Sequence, residues 1–210
     1  MPTKRITVAI FLCMGMASIF SECKKGGILG GCHQSFAFTI DAKVYPDLDT
    51  VSLGDTIYIE VNVPVTLTDS VSGEVANLKG GYFIGTDMGF DKLVIDSPVI
   101  LQNAAENFDL NLIYGKELST SPAPDGAKIY TFNEIGNQFK FKLAIIPKKD
   151  TGVFTFSLAP ASGVEEKNSN CPTFTLNYLL RNTTDQHYYL YPPSAGLPPA
   201  VADYYFYVKP

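Results

Sequence analysis

One short segment near the carboxyl end, Asp185-Gln186-His187, holds the residue types best suited to acid–base chemistry. Histidine exchanges protons near neutral pH, and a neighbouring carboxylate can orient its ring. The chain has 2 histidines, and the other, His33, stands beside Cys32. Neither a G-x-S-x-G turn nor an H-E-x-x-H motif occurs in the sequence. We therefore expect a protein that is not an enzyme and needs no cofactor or metal. A hydrolase using His187 and a carboxylate is the alternative.

Tyrosine is the second feature concentrated near the carboxyl end. The chain contains 12 tyrosines and no tryptophan. An exposed ring can stack on a sugar or pack against a protein partner, whereas rings on both sides of a sandwich edge would only cover the fold. Both interpretations stay open from the sequence. The candidate ligand contacts are Tyr188, Tyr189, Tyr191, Tyr204, Tyr205 and Tyr207.

The amino-terminal residues have the layout of a secretory signal. Lys4 and Arg5 precede an apolar run over residues 6–20, which is too short and too poorly flanked for a stable membrane span. Cys23 follows closely. This arrangement resembles the lipobox of bacterial lipoproteins, in which the cysteine after the cleavage point takes a diacylglycerol.

The resemblance to a lipobox divides the start of the chain into three parts. Residues 1–22 are expected to be the signal, residues 23–31 the lipid anchor and a glycine-rich tether, and residues 32–210 a single domain. The alternative is a soluble secreted protein cut after Ala17 or Ser21, in which Cys23 is an ordinary thiol.

The cysteine count favours the anchor. Of the 4 cysteines, Cys13 lies inside the signal, and assigning Cys23 to the lipid leaves Cys32 and Cys171. In an oxidising compartment two remaining thiols most simply form a disulfide. A pair of free buried thiols is the alternative.

Composition places the chain among ordinary folded domains. It has 210 residues, of which 46% are hydrophobic and 18% charged, so one domain can bury a substantial core. The net charge of −5 argues against a nucleic-acid partner, because neutralising phosphates requires clustered lysine and arginine.

Short runs of alternating residues, separated by turn residues, fill the chain after the tether. The clearest is residues 57–63, whose odd-numbered positions are aliphatic, and Pro64 is expected to end it. Many such runs predict an all-β fold, an antiparallel immunoglobulin-like β-sandwich. Further strands are predicted at residues 36–40, 81–85, 92–95, 108–114, 128–132, 138–146, 152–158, 173–180, 188–190 and 204–208.

Two connections carry specific predictions. Residues 147–152, Pro-Lys-Lys-Asp-Thr-Gly, are the best candidate for a hairpin between two strong strands. Ala104-Ala105-Glu106 is the candidate for a single helical turn.

Several segments follow one another in a recognisable order. They are Cys32, a first strand at 36–40, the step "DTVSLGDTI" at 49–57, the polar loop at 67–73, the run at 141–158, the Cys171 segment and Tyr188-Tyr189-Leu190. This order resembles a family of uncharacterised lipoproteins of the Bacteroidota. The resemblance implies an immunoglobulin-like β-sandwich and a location in the cell envelope, without implying an activity.

The expected location is the outer membrane of the cell envelope, where the lipidated Cys23 binds the membrane and either membrane face is open. The expected further partner is a protein or a glycan. The expected function is that of a non-enzymatic binding or structural module. Besides the hydrolase, an adhesin or assembly subunit is an alternative, and it would need an unpaired strand edge.

Overall fold

Strands make up almost all of the regular structure in this computed structural model, which describes residues 35–69, 72–80, 82–94, 100–118, 126–165, 173–192 and 199–210. In chain order the strands are β1 (Ser35–Tyr45), β2 (Thr50–Ser52), β3 (Ile57–Pro64), β4 (Thr66–Thr68), β5 (Val75–Asn77), β6 (Gly85–Val94), β7 (Ile100–Asn103), β8 (Phe108–Tyr114), β9 (Lys116–Glu117), β10 (Lys128–Thr131), β11 (Asn133–Ile135), β12 (Gln138–Pro147), β13 (Gly152–Leu158), β14 (Ala161–Glu165), β15 (Thr173–Leu179) and β16 (Asp203–Lys209). Two 3-10 helices cover Ala105–Asn107 and Tyr188–Leu190.

Two seven-stranded sheets pack face to face as a sandwich. The first sheet has the order β11-β12-β3-β1-β15-β14, with β8 also paired to β12. The second sheet has the order β2-β16-β13-β6-β10-β9, with β7 also paired to β6. The predicted all-β sandwich is confirmed. Its sheets are mixed rather than purely antiparallel, because β1 runs parallel to β15 and β16 runs parallel to β2.

Strand β1 changes partner along its length. Its residues 35–41 pair in parallel with β15, and its residues 42–45 pair antiparallel with β3. The chain then leaves the first sheet, and β2 joins the second sheet beside β16. The immunoglobulin-like classification of this topology stays a prediction.

The core lies between the two sheets, and β3 shows how the sequence pattern builds it. Ile57, Ile59, Val61 and Val63 are each 0% exposed, while the residues between them face outward. A strand alternates its side chains between two faces, so the predicted period of two is confirmed. The strand ends at Pro64, as predicted, since proline cannot donate a hydrogen bond to the ladder.

The predicted hairpin at residues 147–152 is wrong. Strand β12, before it, pairs with β3, β8 and β11 in the first sheet, and β13, after it, pairs with β6 and β16 in the second. Both strands are strongly apolar because each is central in its own sheet. The connection therefore crosses from one sheet to the other.

Three other local predictions have clear outcomes. Tyr188–Leu190 is a 3-10 helix rather than the predicted strand. The predicted helical turn near Ala104 is confirmed as the 3-10 helix Ala105–Asn107. The strand predicted at 92–95 coincides with the end of β6 (Gly85–Val94), whereas the strand predicted at 81–85 overlaps β6 only at Gly85 and is otherwise wrong for the described residues 82–84. The polar positions Asp87 and Asp91 interrupt the apolar pattern of β6.

The predicted signal, tether, lipid attachment and disulfide fall on residues that lie outside the described part of the chain. This applies to Cys23, Cys32 and Cys171, so these predictions stay predictions. Within the described ranges, no helix has the length and apolar character needed to cross a membrane.

Candidate binding site

Two chain segments pass from the first sheet towards the second side by side. One is the loop at 46–49 between β1 and β2, and the other follows β15 over residues 180–192. The segment after β15 is fixed to β1, because the backbone N–H of Val44 donates to Thr184 Oγ1 at 2.9 Å. The Nδ2 of Asn182 also donates to Asp41 Oδ1 at 2.9 Å. These bonds hold the segment against β1, from whose end the loop begins.

Two aspartates bind the loop and the segment together. The backbone N–H of Asp185 donates to Asp47 Oδ2 at 2.8 Å, and the backbone N–H of His187 donates to Asp185 Oδ1 at 3.0 Å. Aspartate often organises irregular backbone in this way, since its short side chain reaches nearby N–H groups. Both carboxylates are therefore held in defined positions while staying exposed.

His187 is buried at this junction, with 5% of its surface exposed. Its Nδ1 lies 3.0 Å from the carbonyl oxygen of Tyr205. A carbonyl only accepts hydrogen bonds, so Nδ1 carries the proton. The ring packs edge-on against Tyr204 and Tyr189, with centroids 5.1 Å and 6.1 Å away. The residue adopts a left-handed backbone with φ of +51°, which non-glycine residues adopt mainly where the surroundings fix them.

The second ring nitrogen of His187 faces a carboxylate. Nε2 lies 3.5 Å from Asp47 Oδ1. A general base would turn this nitrogen towards a nucleophile, as in a serine-histidine-aspartate triad. Asp185, the orienting carboxylate suggested by the sequence, binds the backbone of His187 rather than its ring. The geometry suits a structural histidine that joins the loop to β16.

Tyr189 is the most exposed of the candidate tyrosines, with 67% of its surface accessible. Its hydroxyl donates to Asp49 Oδ2, which lies on the loop. This bond lowers the pKa of Asp49 and raises the pKa of Tyr189 to about 12. An exposed ring is thus held in one orientation by its own hydroxyl.

The structure divides the six candidate tyrosines between core and surface. Tyr204 and Tyr205 are 0% and 2% exposed, so neither ring is available to a ligand. The Tyr204 hydroxyl donates to the carbonyl of Leu48 at 2.8 Å and accepts from the backbone N–H of Leu48 at 3.1 Å. These two bonds fix the loop at 46–49 to β16. Burial raises the pKa of Tyr204.

The remaining four tyrosines have intermediate or high exposure. Tyr188 and Tyr191 are half-buried and pack edge-on against Tyr205, with ring centroids 6.0 Å and 5.4 Å away. Tyr207 is 40% exposed on the outer side of β16. Both interpretations made from the sequence therefore apply, each to different rings.

We define the Tyr189 surface as Asp47, Leu48, Asp49, Asp185 and Tyr189. It combines one fixed aromatic ring, the exposed apolar side chain of Leu48 and three exposed carboxylates. Within the described residues, no group of three or more histidine, cysteine, aspartate or glutamate side chains is arranged to hold a metal ion. The surface instead offers a ring face and hydrogen-bond acceptors.

No protein-family model matches the chain, and no curated protein and no solved structure matches it. Inference about function therefore depends on the chemistry of the Tyr189 surface.

The sequence alone does not identify the aspartates of this surface as partners of the carboxyl-terminal residues. Asp49 and Tyr189 are separated by 140 positions along the chain. The local pattern Asp47-Leu48-Asp49 predicts only a solvated turn. The sequence feature that points to this site is the density of tyrosine near the carboxyl end. It indicates the segment but not which tyrosine ring is exposed.

Replacing Tyr189 with phenylalanine is expected to raise the pKa of Asp49 towards its ordinary value of 3.8. The bond favours the ionised carboxylate. It therefore stabilises the fold at pH values above the ordinary aspartate pKa, and this stabilisation is lost as the pH falls through the lowered pKa of Asp49. A carboxyl ¹³C NMR titration of both proteins measures the shift. Tyr188→Phe is the control, because its hydroxyl bonds the carbonyl of Ala200. An unchanged Asp49 titration in Y189F would contradict the proposed bond.

Proposed function

We propose that this protein is an exported, lipid-anchored binding module of the bacterial cell envelope that recognises uncharged sugars through the Tyr189 surface. The observation that carries the proposal is the Tyr189 ring, which is 67% exposed and fixed by its bond to Asp49. No catalytic step is part of the proposal.

The fixed ring suits the apolar face of a sugar. An aromatic face is electron-rich, so it attracts the weakly positive C–H groups that a pyranose presents on one side. Binding normally costs entropy when a side chain is immobilised. The bond to Asp49 has already restricted the Tyr189 side chain, so less of this cost arises when a ligand binds.

The carboxylates of the surface select the kind of ligand. Asp47, Asp49 and Asp185 present acceptor oxygens that sugar hydroxyls can donate to. Three negative charges close together disfavour an anionic ligand by repulsion. A neutral, hydroxyl-rich ligand fits both properties of the Tyr189 surface.

Two alternatives receive less support from the geometry. A hydrolase using His187 would need its Nε2 to leave Asp47 and face a nucleophile. An adhesin or assembly subunit would need a regular strand edge. Strand β8 has a bulge instead: Leu143 of β12 pairs with Leu112, but the adjacent Lys142 pairs with Tyr114. Bulges oppose the addition of another strand.

Export and anchoring are supported by the layout of residues 1–23. They are tested by the intact mass of protein purified from its native membrane fraction, before and after reduction. We expect the mass of a chain that starts at Cys23 and carries acyl groups, with two hydrogens gained on reduction of the Cys32–Cys171 bridge. A lipid-free mass from an earlier start would contradict the anchor.

Sugar recognition is tested with neutral oligosaccharides of glucose, mannose, xylose and N-acetylglucosamine, immobilised as a panel. We expect the purified protein to bind at least one member and Tyr189→Ala to lose that binding by about tenfold or more, since removing a central aromatic contact typically costs above 1 kcal/mol. Phe83→Ala is the matched control, because Phe83 is also 67% exposed. Binding that is absent, or equal in Y189A and the native protein, would contradict the proposal.

A further inference from the structure

A polar cleft of about 870 Å³ lies on the second sheet, where β6, β7, the first 3-10 helix, the start of β10 and the β12–β13 connection meet. In the order of that sheet, β16 and β13 separate β6 from β2, beside which the Tyr189 surface lies. The volume falls within the range of small-molecule sites in proteins. The cleft is independent of the proposed function.

Positive charge from three separate elements converges on this cleft. Lys92 comes from β6, Lys128 from β10 and Lys149 from the β12–β13 connection. The carboxylates of the lining are Glu106 and Asp150, so the described lining carries three cations and two anions.

The three lysines are neutralised to different degrees. Lys128 Nζ lies 2.7 Å from the carboxylate of Glu117, a direct ion pair. Lys92 Nζ is 3.7 Å from Asp150, and it also lies 5.5 Å from the centroid of the Phe154 ring. Lys149 is exposed and forms no ion pair with a described carboxylate. Glu106 is the remaining carboxylate of the lining, so the cleft as a whole carries no excess of positive charge once Glu117 is counted. An anionic group is therefore favoured at Lys149 itself, the lysine without a described carboxylate partner.

Glycine backbone shapes the wall of the cleft. A Cβ at Gly126 would lie 1.4 Å from Asn103 Nδ2, so only glycine lets the Asn103 amide lie against this backbone. Gly126 also has a φ of +75°, which glycine adopts without strain. The backbone N–H of Ala105 donates to Asn103 Oδ1 at 3.0 Å and so fixes which end of the amide faces Gly126.

Amide groups extend the polar lining beyond the lysines. Gln102, Asn103 and Asn107 all border the cleft, and each amide can both donate and accept hydrogen bonds. A simple inorganic anion would fill only a small part of 870 Å³. A ring bearing hydroxyls would use the amides, and an acid group on that ring would use the lysines.

We propose that this cleft binds a sugar that carries an acid group, either a carboxylate or a phosphate. The ammonium of Lys149 would bind the acid group by a charge-assisted hydrogen bond, the strong class of hydrogen bond between protein and ligand. The exposed amide of Gln102 would bind the hydroxyls. Lys149 thus gives this cleft an exposed cation, whereas the Tyr189 surface as defined contains only carboxylates, and the two sites select different sugars.

The test measures binding of three probes to the purified full-length protein by isothermal titration. The probes are galacturonic acid trisaccharide, its uncharged methyl ester and glucose 6-phosphate. We expect an acidic probe to bind about tenfold more tightly than the ester, and its affinity to fall as salt is raised, because the attraction involves an exposed lysine. Binding of the uronate alone identifies sugar acids as the ligand class, and binding of the phosphate alone identifies sugar phosphates.

Two variants locate the binding. Lys149→Gln is expected to weaken the acidic probe about tenfold, because it removes the unpaired charge without changing the side-chain length greatly. Lys79→Gln is the matched control, since Lys79 is an exposed lysine in a turn outside the cleft and its loss changes the net charge equally. Equal binding of the acids and the ester, equal binding by K149Q and the native protein, or no binding of either acid would overturn the proposal. Loss of sugar binding in Y189A does not bear on this test.

Discussion

Replacing Gly85 with alanine is expected to lower the free energy of unfolding by about 3 kcal/mol or more, at the upper end of the usual cost of overpacking. A Cβ at Gly85 would lie 2.1 Å from the backbone oxygen of Tyr130 and 3.1 Å from its carbonyl carbon. Both atoms belong to the neighbouring strand β10, whose Thr131 pairs with Gly85. A side chain can rotate away from a new methyl group, but paired backbone cannot move without breaking the ladder.

The hydrogen bonding around Gly85 increases the expected effect. The buried hydroxyl of Tyr178 donates to the Gly85 carbonyl, so the first sheet is joined to β6 at this point. Displacing β6 would leave a buried hydroxyl without its acceptor, which costs a further ~1–3 kcal/mol. Burial already raises the pKa of Tyr178, so its hydroxyl stays protonated and able to donate at ordinary pH.

Chemical denaturation of Gly85→Ala and Gly89→Ala provides the comparison. Gly89 lies on the same strand, but its Cβ would meet only side-chain atoms: Ser157 Oγ at 2.9 Å, in a side chain that can rotate, and Asp91 Oδ2 at 3.9 Å, an ordinary contact distance. We expect G89A to change the stability by less than about 1 kcal/mol. Equal stabilities of the two variants would contradict the close backbone contact at Gly85.

Replacing Phe206 with alanine is expected to cost about 3–5 kcal/mol, as is usual for a phenylalanine lost from a core. Phe206 is 0% exposed. Four aromatic rings pack around it, with their centroids 5.9–6.2 Å from its own. Tyr204 is on the same strand, and the other three rings are Phe108, Phe154 and Phe156. Rigid rings on every side limit how far the cavity can collapse, so the loss should lie within this range.

The adjacent residue supplies the control. Tyr207 follows Phe206 on β16 but faces outward and is 40% exposed, so Tyr207→Ala should cost less than about 1 kcal/mol. Thermal and urea unfolding measure both variants, and Phe206→Leu extends the series if F206A does not fold. A cost for F206L equal to or below that for Y207A would contradict the inward position of Phe206.

Alternation along each strand made much of the fold predictable. In β3 the aliphatic residues alternate with polar ones, and each strand face has one environment, so pattern and burial agree. The strands at 108–114 and 152–158 also have the predicted bounds. Such patterns depend only on residues next to each other in the chain.

Partner choice was less predictable, because it depends on residues far apart in the chain. Nothing local distinguishes a turn that pairs β12 with β13 from one that carries the chain to the opposite sheet. Strand β1 illustrates the same limit, since it pairs with β15 over one half and with β3 over the other. Apolar alternation indicates which face is buried, not which strand lies beside it.

The candidate site was predictable to a similar extent. Tyrosine density indicated the carboxyl-terminal segment, but Tyr205 and Tyr189 could not be ranked by exposure from the sequence. Tyr205 faces outward from β16 and is nevertheless buried, because the segment that carries Tyr188 and Tyr191 covers it. The pairing of Asp49 with Tyr189 follows from the way the loop and the segment after β15 lie side by side in the fold, which no local sequence pattern indicates.

Recognition of an uncharged sugar by this protein requires direct contact between the sugar and the fixed ring of Tyr189. The most direct measurement is an NMR titration of the purified protein, with tyrosine and phenylalanine ring carbons labelled, using the oligosaccharide that the panel identifies. We expect the ring signals of Tyr189 to shift with the sugar concentration while those of Phe83 do not. Unchanged Tyr189 signals at saturating sugar, or shifts confined to rings elsewhere, would contradict it.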